Sequence, residues 1–416
     1  MICSYQLAPN SQGTVIEPQP LFWEGFNLAG DDLLRRVIER AILPQIADYS
    51  FKINGNRLET KSAMSDLFGV HTGENYNIKN IRLKNIITNQ LLLPIAYAFF
   101  DFVAESKNSD KVGFEALFYN FPRPNENLIK QINDRFSSIT TLTQDTETSF
   151  DITKLSWYID IEAINTIISQ TIGELLRHIS AIITQFDCDI ILLAGNPTKL
   201  PVIKDIIIRN LPVFPDKIIT LGNYRIGNWY PFSDARHNLK DPKTIVCVGA
   251  AISHMSEQGL LSHIRFNTEP LKKINSRGFF IGKYISNNAK ISTDDVFLNK
   301  EQEENQLCLS NPVLTIGKRQ LSNPDWRAAP IYHLGYKDKS AAAKLEIKGY
   351  YPPFTFEISR SPMGIEELIV DTFVSDKDGN QFKFDDYFVL HPQSISDETG
   401  YWLDSGTFTI DFIDTI

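Results

Sequence analysis

The stretch from Asp189 to Ile207 limits the fold of this chain more than any other, because it combines a strand, a glycine turn and the start of a helix. The five apolar residues Ile190 to Ala194 are too few for a helix and are typical of a strand buried on both faces of a sheet. Gly195 permits a positive φ and a close backbone approach, and Pro201 suits the first turn of a helix. Such a turn places free backbone amides at the carboxyl end of a sheet, where nucleotides and other anions bind, although many α/β proteins have it without a ligand.

Helices are predicted on both sides of this stretch. Apolar residues from Ile161 to Phe186 recur in steps of three and four, which predicts one amphipathic helix. Downstream, Asp241 and Pro242 are typical of a helix N-terminus, with Asp as the cap and Pro in the first turn. The small residues Gly249 to Ala251 would let this second helix pack closely against a neighbour.

The start of the chain predicts two strands, Met1–Leu7 and Gly13–Phe26, followed by a helix from Leu33 to about Ile46. Gly30-Asp31-Asp32 come just before this helix. Acidic residues at such a position offset the helix dipole in any capped helix, whether or not a ligand binds there.

The chain contains, in order, the hairpin, the G-D-D helix, the long helix, the L-A-G-N-P-T-K-L-P turn and the D-P-K-T-I-V-C-V-G-A-A-I helix. This order of elements resembles the second half of the ATPase fold shared by actin, heat-shock chaperones and sugar kinases. The resemblance implies an α/β fold, the second lobe of an actin-like, ribonuclease H-like ATPase. It implies that the G-x-x-x-x-x-P turn touches the adenosine of a nucleotide, and that the G-D-D turn faces the ribose or phosphate. Ala29 replaces the first glycine of the superfamily's G-G-E/D-D motif, which leaves less room for a ligand.

The resemblance therefore assigns nucleotide contacts to Gly30, Asp31, Gly195 and Asn196, with Lys199 at the rim of a shared cleft. The superfamily commonly has Arg at the Lys199 position. Lys stacks less well on adenine, because it has no planar guanidinium.

No catalytic residue and no metal ligand is predicted. In the superfamily a D-x-G-G-G-T phosphate loop directly precedes the hairpin, and Met1 falls just after the place where that loop should end. The chain has no other glycine-rich phosphate cradle, and its seven histidines show no ligand spacing. By comparison with the superfamily, we therefore expect either a C-terminal fragment or the product of a gene that lost its front. The resemblance implies ATP or ADP with Mg²⁺ for a full-length homologue, and no cofactor is predicted for the chain alone.

Three blocks carry a closer resemblance: F-W-E-G-F-N-L-A-G-D-D, Y-R-I-G-N-W-Y-P-F and Y-W-L-D-S-G-T-F. The chain is similar to the C-terminal half of the SrfB family of bacterial virulence-associated proteins, and the Y-R-I-G-N-W-Y-P-F block is the most specific part. Aromatic residues this dense form a ligand wall, a partner surface or a loop locked onto the core. Because no phosphate loops are present, we expect a virulence-associated binding or assembly component that presents surfaces such as this aromatic block and the β-rich tail. The alternative is the C-terminal part of a nucleotide-binding ATPase that works with an N-terminal half. Expected protein partners are virulence proteins from the same operon or that N-terminal half.

Three regions are predicted. Residues 1–47 and 150–256 form the ATPase-like lobe, residues 48–149 form an inserted α+β subdomain, and residues 257–416 form a β-rich C-terminal domain with strands that include Ala342–Ile347 and Phe354–Ile358. By position in the inserted region, Arg82 and Lys84 either reach an adenine or lie on a solvated helix face.

Composition limits the partners and the compartment. A net charge of −9 and a pI near 5.4 argue against a broad nucleic-acid or anionic-membrane surface. The longest apolar stretch, Leu91–Ala104, is shorter than the ~20 residues of a membrane span, and Pro94 and Asp101 interrupt it. The four cysteines are scattered, as in proteins with reduced thiols. No signal peptide is visible, so we expect a cytoplasmic protein. The alternative is secretion by a route that needs no signal peptide.

Overall fold

The computed structural model of this protein describes residues 1–10, 13–26, 28–70, 78–107, 109–138, 149–222, 224–272, 280–360, 368–393 and 401–411. The helices are α1 Gly30–Val37, α2 Leu43–Asn54, α3 Arg57–Phe68, α4 Ile78–Ile87, α5 Leu93–Ala104, α6 Glu126–Ser137, α7 Ile161–Thr184, α8 Pro201–Asn210, α9 Thr244–Glu257, α10 Glu269–Lys272, α11 Ala341–Ile347, α12 Phe384–Tyr387 and α13 Trp402–Ser405. The strands are β1 Ile2–Asn10, β2 Gly13–Phe22, β3 Ser109–Val112, β4 Trp157–Ile159, β5 Ile191–Leu193, β6 Ile218–Thr220, β7 Ile264–Phe266, β8 Phe280–Lys283, β9 Val296–Leu298, β10 Glu304–Leu309, β11 Leu314–Arg319, β12 Ala329–Tyr336, β13 Phe354–Ser359, β14 Ile369–Ser375, β15 Gln381–Lys383 and β16 Phe388–Pro392.

The chain combines helices with several sheets, so the predicted α/β class is confirmed at that level. It divides into two compact units, one made of Met1–Asn27 and Val248–Ser396 and the other of Leu28–Cys247 and Asp397–Ile416. These boundaries differ from the predicted division into an ATPase-like lobe, an inserted subdomain and a C-terminal domain. That division and the actin-like architecture stay predictions.

The first unit contains two antiparallel sheets with strand orders β10-β13-β14-β15 and β16-β12-β11-β8-β9. Their core is rich in phenylalanine. Phe354, Phe356 and Ile358 alternate with more exposed residues along β13 and are all buried, and the ring centroids of Phe356 and Phe388 lie 5.1 Å apart. The predicted strand at Phe354–Ile358 is therefore present. The strand predicted at Ala342–Ile347 is wrong, because this segment belongs to helix α11.

The same unit contains the N-terminal hairpin. β1 and β2 pair antiparallel, and β2 pairs in parallel with β7, so the sheet order is β1-β2-β7. The two predicted strands are therefore present.

The second unit contains two long helical segments that both continue through a proline. α1 is joined to α2 by the π-helical turn Ile38–Ile42, and α4 is joined to α5 by the π-helical turn Thr88–Leu92. Pro44 and Pro94 each lie two residues after such a turn. Proline cannot donate a backbone hydrogen bond and clashes with the carbonyl four residues earlier. The wider π turn changes that hydrogen-bond pattern, so each helical segment continues through its proline.

The second of these segments is also long and apolar enough to cross a membrane. Among the described residues, Asn80–Ala104 is the one helix that meets this criterion, and 56% of its apolar window is buried inside the protein. A buried core helix meets the same criterion of length and composition. The absence of a membrane span therefore stays a prediction.

Helix α7 confirms the predicted amphipathic helix, since Ile164, Ile168 and Ile172 are buried along one face. The strand that follows is shorter and more exposed than predicted. β5 pairs in parallel with β6 and, among the described residues, with no other strand. The side chains of Ile190 and Leu192 are each 60% exposed, so the prediction of a strand buried on both faces is wrong.

Helices α8 and α9 begin close to where the sequence predicts. α8 starts at Pro201, and the backbone amide of Lys243 donates to the carboxylate of Asp241 at 2.9 Å just before α9. Gly249, Ala250 and Ala251 are exposed on α9. Among the described residues, no neighbour lies within 4 Å of a Cβ added to Gly249, so the expected close packing is not seen there.

Candidate functional site

The turn after β5 is built around Gly195. Its φ is +94°, a conformation that residues with a side chain rarely adopt. Its carbonyl oxygen accepts hydrogen bonds from the backbone amide of Thr198 at 3.1 Å and from the Thr198 hydroxyl at 2.7 Å. These bonds close a short 3₁₀ turn, Asn196–Lys199, which leads into α8.

The start of α1 lies directly against this turn. A Cβ added to Gly30 would lie 3.2 Å from Cγ of Pro197, so the two turns are in contact. The carboxylate of Asp32 accepts a hydrogen bond from the backbone amide of Ala29 at 2.8 Å, as in an ordinary helix cap. The structure therefore brings together two turns that are 165 residues apart in the chain, and the shared cleft expected between them stays a prediction.

Asp31 contacts the C-terminal segment of the chain. The hydroxyl of Tyr401 donates to its carboxylate at 2.6 Å. Burial and the nearby Asp31 carboxylate raise the pKa of Tyr401 above its ordinary value. The Asp31 carboxylate is thus engaged by the protein itself.

Lys199 joins the glycine turn to the loop that follows β6. A Cβ added to Gly222 would lie 3.0 Å from Cγ of Lys199, so the lysine stem lies across this glycine. The ammonium group donates to the carbonyl oxygen of Lys240 at 3.2 Å. This contact orients the side chain, and no pattern in the sequence predicts it.

Two polar atoms are buried without a hydrogen-bond partner near the carboxyl ends of the parallel strands. They are Oδ1 of Asn196, just after β5, and Oγ1 of Thr220, at the end of β6. Leu193 lies opposite Thr220 in the strand register, which places both atoms at one edge of the pair. Ligands of open α/β sheets bind at this edge. The nucleotide contacts predicted for Gly30, Asp31, Gly195, Asn196 and Lys199 stay predictions.

Lys84 neither lies on a solvated helix face nor is free to reach an adenine. Its side chain is buried, and its ammonium donates to the carbonyl oxygens of Ser65, at 3.3 Å, and Gly69. Burial lowers its pKa to about 8. Lys84 therefore ties α4 to the end of α3. Arg82 is exposed.

Within the part of the chain that the structure describes, no group of three or more His, Cys, Asp or Glu side chains is arranged to hold a metal ion. A polar surface groove of about 590 Å³ lies between α7 and α8, lined by Asn165, Glu174, Arg177, Asp205 and Arg209 among others. Its acidic and basic residues are balanced, so it does not favour an anion or a cation.

The segment Tyr224–Lys240, which we call the aromatic loop, has a fixed backbone. The amides of Ile226 and Gly227 donate to the carbonyl oxygen of His237 at 3.0 and 3.2 Å, and the amide of Leu239 donates to that of Tyr224 at 2.8 Å. Within the loop, the carboxylate of Asp234 accepts hydrogen bonds from two backbone amides at 2.8 Å, and these bonds lower its pKa.

Tyr230 anchors the aromatic loop to the start of helix α9. It is buried, and its hydroxyl forms a 2.7 Å hydrogen bond with Oγ1 of Thr244.

The other aromatic side chains of this loop face solvent. Trp229 is 60% exposed, Phe232 49% and Tyr224 43%. A Cβ added to Gly227, whose φ is +97°, would lie 3.2 Å from the Trp229 ring. The glycine therefore lets the indole lie over the backbone.

The charges around the aromatic loop are unevenly exposed. Three basic residues of the loop are exposed, as is the next basic residue after the loop: Arg225, Arg236, Lys240 and Lys243. The two acidic residues of the same stretch, Asp234 and Asp241, accept hydrogen bonds from nearby backbone amides. The exposed surface is thus aromatic and basic, in a chain whose net charge is −9.

Comparisons with known proteins identify one family. The family model described as "Virulence factor SrfB" matches residues 1–409, nearly the whole chain. No curated protein and no solved structure matches this sequence.

Proposed function

This chain belongs to the SrfB virulence factor family, and on that premise we propose that it is a binding or assembly component that works through the aromatic loop. The single observation that carries this proposal is the combination of exposed aromatic side chains with a backbone fixed by hydrogen bonds. Family membership makes the protein virulence-associated, and the loop supplies the means of contact.

Leaving these side chains in water has an energetic cost. An aromatic side chain offers ~150–250 Å² of contact area. At ~25 cal/mol per Å², an indole exposed like that of Trp229 forgoes about 3 kcal/mol of burial free energy. A partner that covers the indole recovers this free energy. Because the loop backbone is already ordered, less conformational entropy is lost on binding.

The residue types also fit a protein interface. Trp, Tyr and Arg are enriched among the residues that contribute most to protein–protein binding, and the loop exposes Trp229, Tyr224, Arg225 and Arg236. The exposed basic residues favour a partner whose contact surface is acidic around an apolar centre, since complementary charges speed association and select partners. The partners we propose are virulence proteins from the same operon or an N-terminal half of a longer homologue.

A complementation experiment tests this function. In a strain that lacks the gene, Trp229→Ala should fail to restore the virulence phenotype, although the protein accumulates normally. The matched control is Tyr158→Ala, which removes another half-exposed aromatic side chain of the same unit and should restore the phenotype. Full activity of Trp229→Ala would contradict the proposal.

A second candidate function is that of the C-terminal part of a nucleotide-binding ATPase. The unpaired Asn196 and Thr220 oxygens favour it, because an unsatisfied buried polar atom costs about 1–3 kcal/mol that a ligand could recover. Phosphoryl transfer depends on groups that position and neutralise the phosphates, and the sequence holds no glycine-rich phosphate cradle. We therefore expect ADP to raise the melting temperature, under this alternative, without any ATP turnover in a phosphate-release assay. No shift with ADP or ATP would remove this candidate.

A further inference from the structure

Strand β1 is a long edge strand. It pairs with β2 along its whole length, from Ile2 opposite Phe22 to Asn10 opposite Gly13. The sheet order β1-β2-β7 puts it at one edge, and no strand of the described residues pairs with its other side. At ~3.4 Å per residue, its nine residues present an edge about 30 Å long.

The side chains of this strand are exposed as well. Tyr5 is 57% exposed and Leu7 is 68% exposed, and both lie on the same face because side chains alternate along a strand. Long apolar edges of this kind pair readily with other strands, and proteins usually protect them with charges, prolines or a covering element. Pro9 is the one proline in β1, and it lies near the end of the strand.

Charge indicates which partner fits this edge. The first 16 residues contain no Asp, Glu, Lys or Arg, whereas 22% of the whole chain is charged. Two copies with a net charge of −9 each repel one another over most of their surfaces. The uncharged edge is a place where they meet without opposing like charges.

We propose that β1 pairs antiparallel with β1 of a second copy of this chain. Such a contact uses the same surface on both copies and has two-fold symmetry. With the axis at Gln6, Tyr5 of each copy lies opposite Leu7 of the other, so that the two exposed apolar side chains cover each other across the strands. The result is a six-stranded sheet that spans the dimer. This surface and the aromatic loop are made of different residues, so the proposal holds or fails independently of the proposed function.

Light scattering coupled to size-exclusion chromatography of the full chain tests the proposal. The unmodified protein should be a dimer, and the double variant Tyr5→Lys, Leu7→Lys should be a monomer because it sets like charges opposite each other. The double variant Tyr5→Glu, Leu7→Glu should also be a monomer, and an equal mixture of the two variants should form a dimer again. Ile347→Lys is the control, since it adds a charge at another exposed apolar residue of the same unit, and it should remain a dimer.

The proposal would be overturned if the unmodified protein were a monomer at every concentration. That result would also be expected if a different polypeptide, and not a second copy, covered β1. A Lys variant that stays dimeric, or a mixture of folded variants that stays monomeric, would also overturn it. Hydrogen exchange on the unmodified protein gives a second measurement that needs no variant. The β1 amides should become more protected as the protein concentration rises, and protection that is independent of concentration would contradict the pairing.

Discussion

Gly406 packs the C-terminal segment Tyr401–Asp411 against helix α4 of the same unit, and its substitution gives a sharp test of this docking. Its φ is +65°, and a Cβ at this position would lie 2.3 Å from the carbonyl carbon of Lys84 and 2.5 Å from its oxygen. These are backbone atoms within α4, which cannot shift cheaply. Gly55 is a matched control in the same unit, because its φ is +66° and an added Cβ would meet nothing within 4 Å.

The two substitutions share one cost and differ in another. Placing Ala in the left-handed conformation costs about 1–2 kcal/mol at either position. Gly406→Ala must also lift the segment, which weakens the hydrogen bonds from the Phe408 amide to the Phe68 carbonyl (2.8 Å) and from the Thr409 amide to the Glu39 carboxylate (3.0 Å). Together these two bonds contribute about 2–4 kcal/mol, since one of them is made to a charged acceptor.

The same movement exposes part of two buried rings, Trp402 and Phe408. Removing a buried aromatic side chain altogether costs about 3–5 kcal/mol, so partial exposure adds to the cost of the weakened hydrogen bonds. We therefore expect Gly406→Ala to lower the free energy of unfolding by about 3 kcal/mol more than Gly55→Ala. Urea unfolding followed by tryptophan fluorescence measures both values. Equal losses within about 0.5 kcal/mol would refute the docking of this segment as described.

Three further predictions concern single residues. Burial lowers the pKa of Lys84 from 10.5 to about 8, so the unfolded state binds more protons than the folded state above pH 8. The free energy of unfolding should therefore rise by about 1 kcal/mol from pH 7 to pH 9 in urea titrations. The same rise in Lys84→Met would contradict this assignment. Asn196→Leu removes an unpaired buried oxygen and should leave the melting temperature unchanged or higher, so a clear decrease would mean that the oxygen is satisfied. Gly227→Ala should displace Trp229 and weaken complementation of the virulence phenotype, whereas Gly379→Ala, at another left-handed glycine with open space around it, should not; equal effects would contradict the role of the Trp229 position.

Local patterns were reliable where one pattern dominated. The alternation of Phe354, Phe356 and Ile358 predicts β13, and the steps of three and four along α7 predict its buried face. The segment Ala342–Ile347 is helical because the three alanines at positions 341–343 favour a helix, and Ala341 and Leu345 are buried one helical turn apart. Local propensity therefore outweighed an apparent strand in a β-rich region.

Properties that depend on distant contacts could not be predicted from sequence. The exposure of Leu192 depends on which strands cover β5, and the hydrogen bond from Lys199 to Lys240 depends on the course of a loop. The cleft expected between the Gly30 and Gly195 turns rests on the order of elements in a resembling fold, and no local pattern predicts it. Burial of Lys84 had no sequence signal, since its partners are backbone carbonyls.

Contact between the aromatic loop and a partner protein is tested most directly by site-specific photocrosslinking in cells that naturally carry the gene. Trp229 is replaced by the photoreactive residue benzoylphenylalanine, and Tyr158, a half-exposed aromatic residue of the same unit, is replaced in the same way as the control. If this contact forms, we expect one discrete crosslinked product at position 229, with a single partner protein identified by mass spectrometry, and no such product at position 158. No product at position 229, or the same products at both positions, would contradict it.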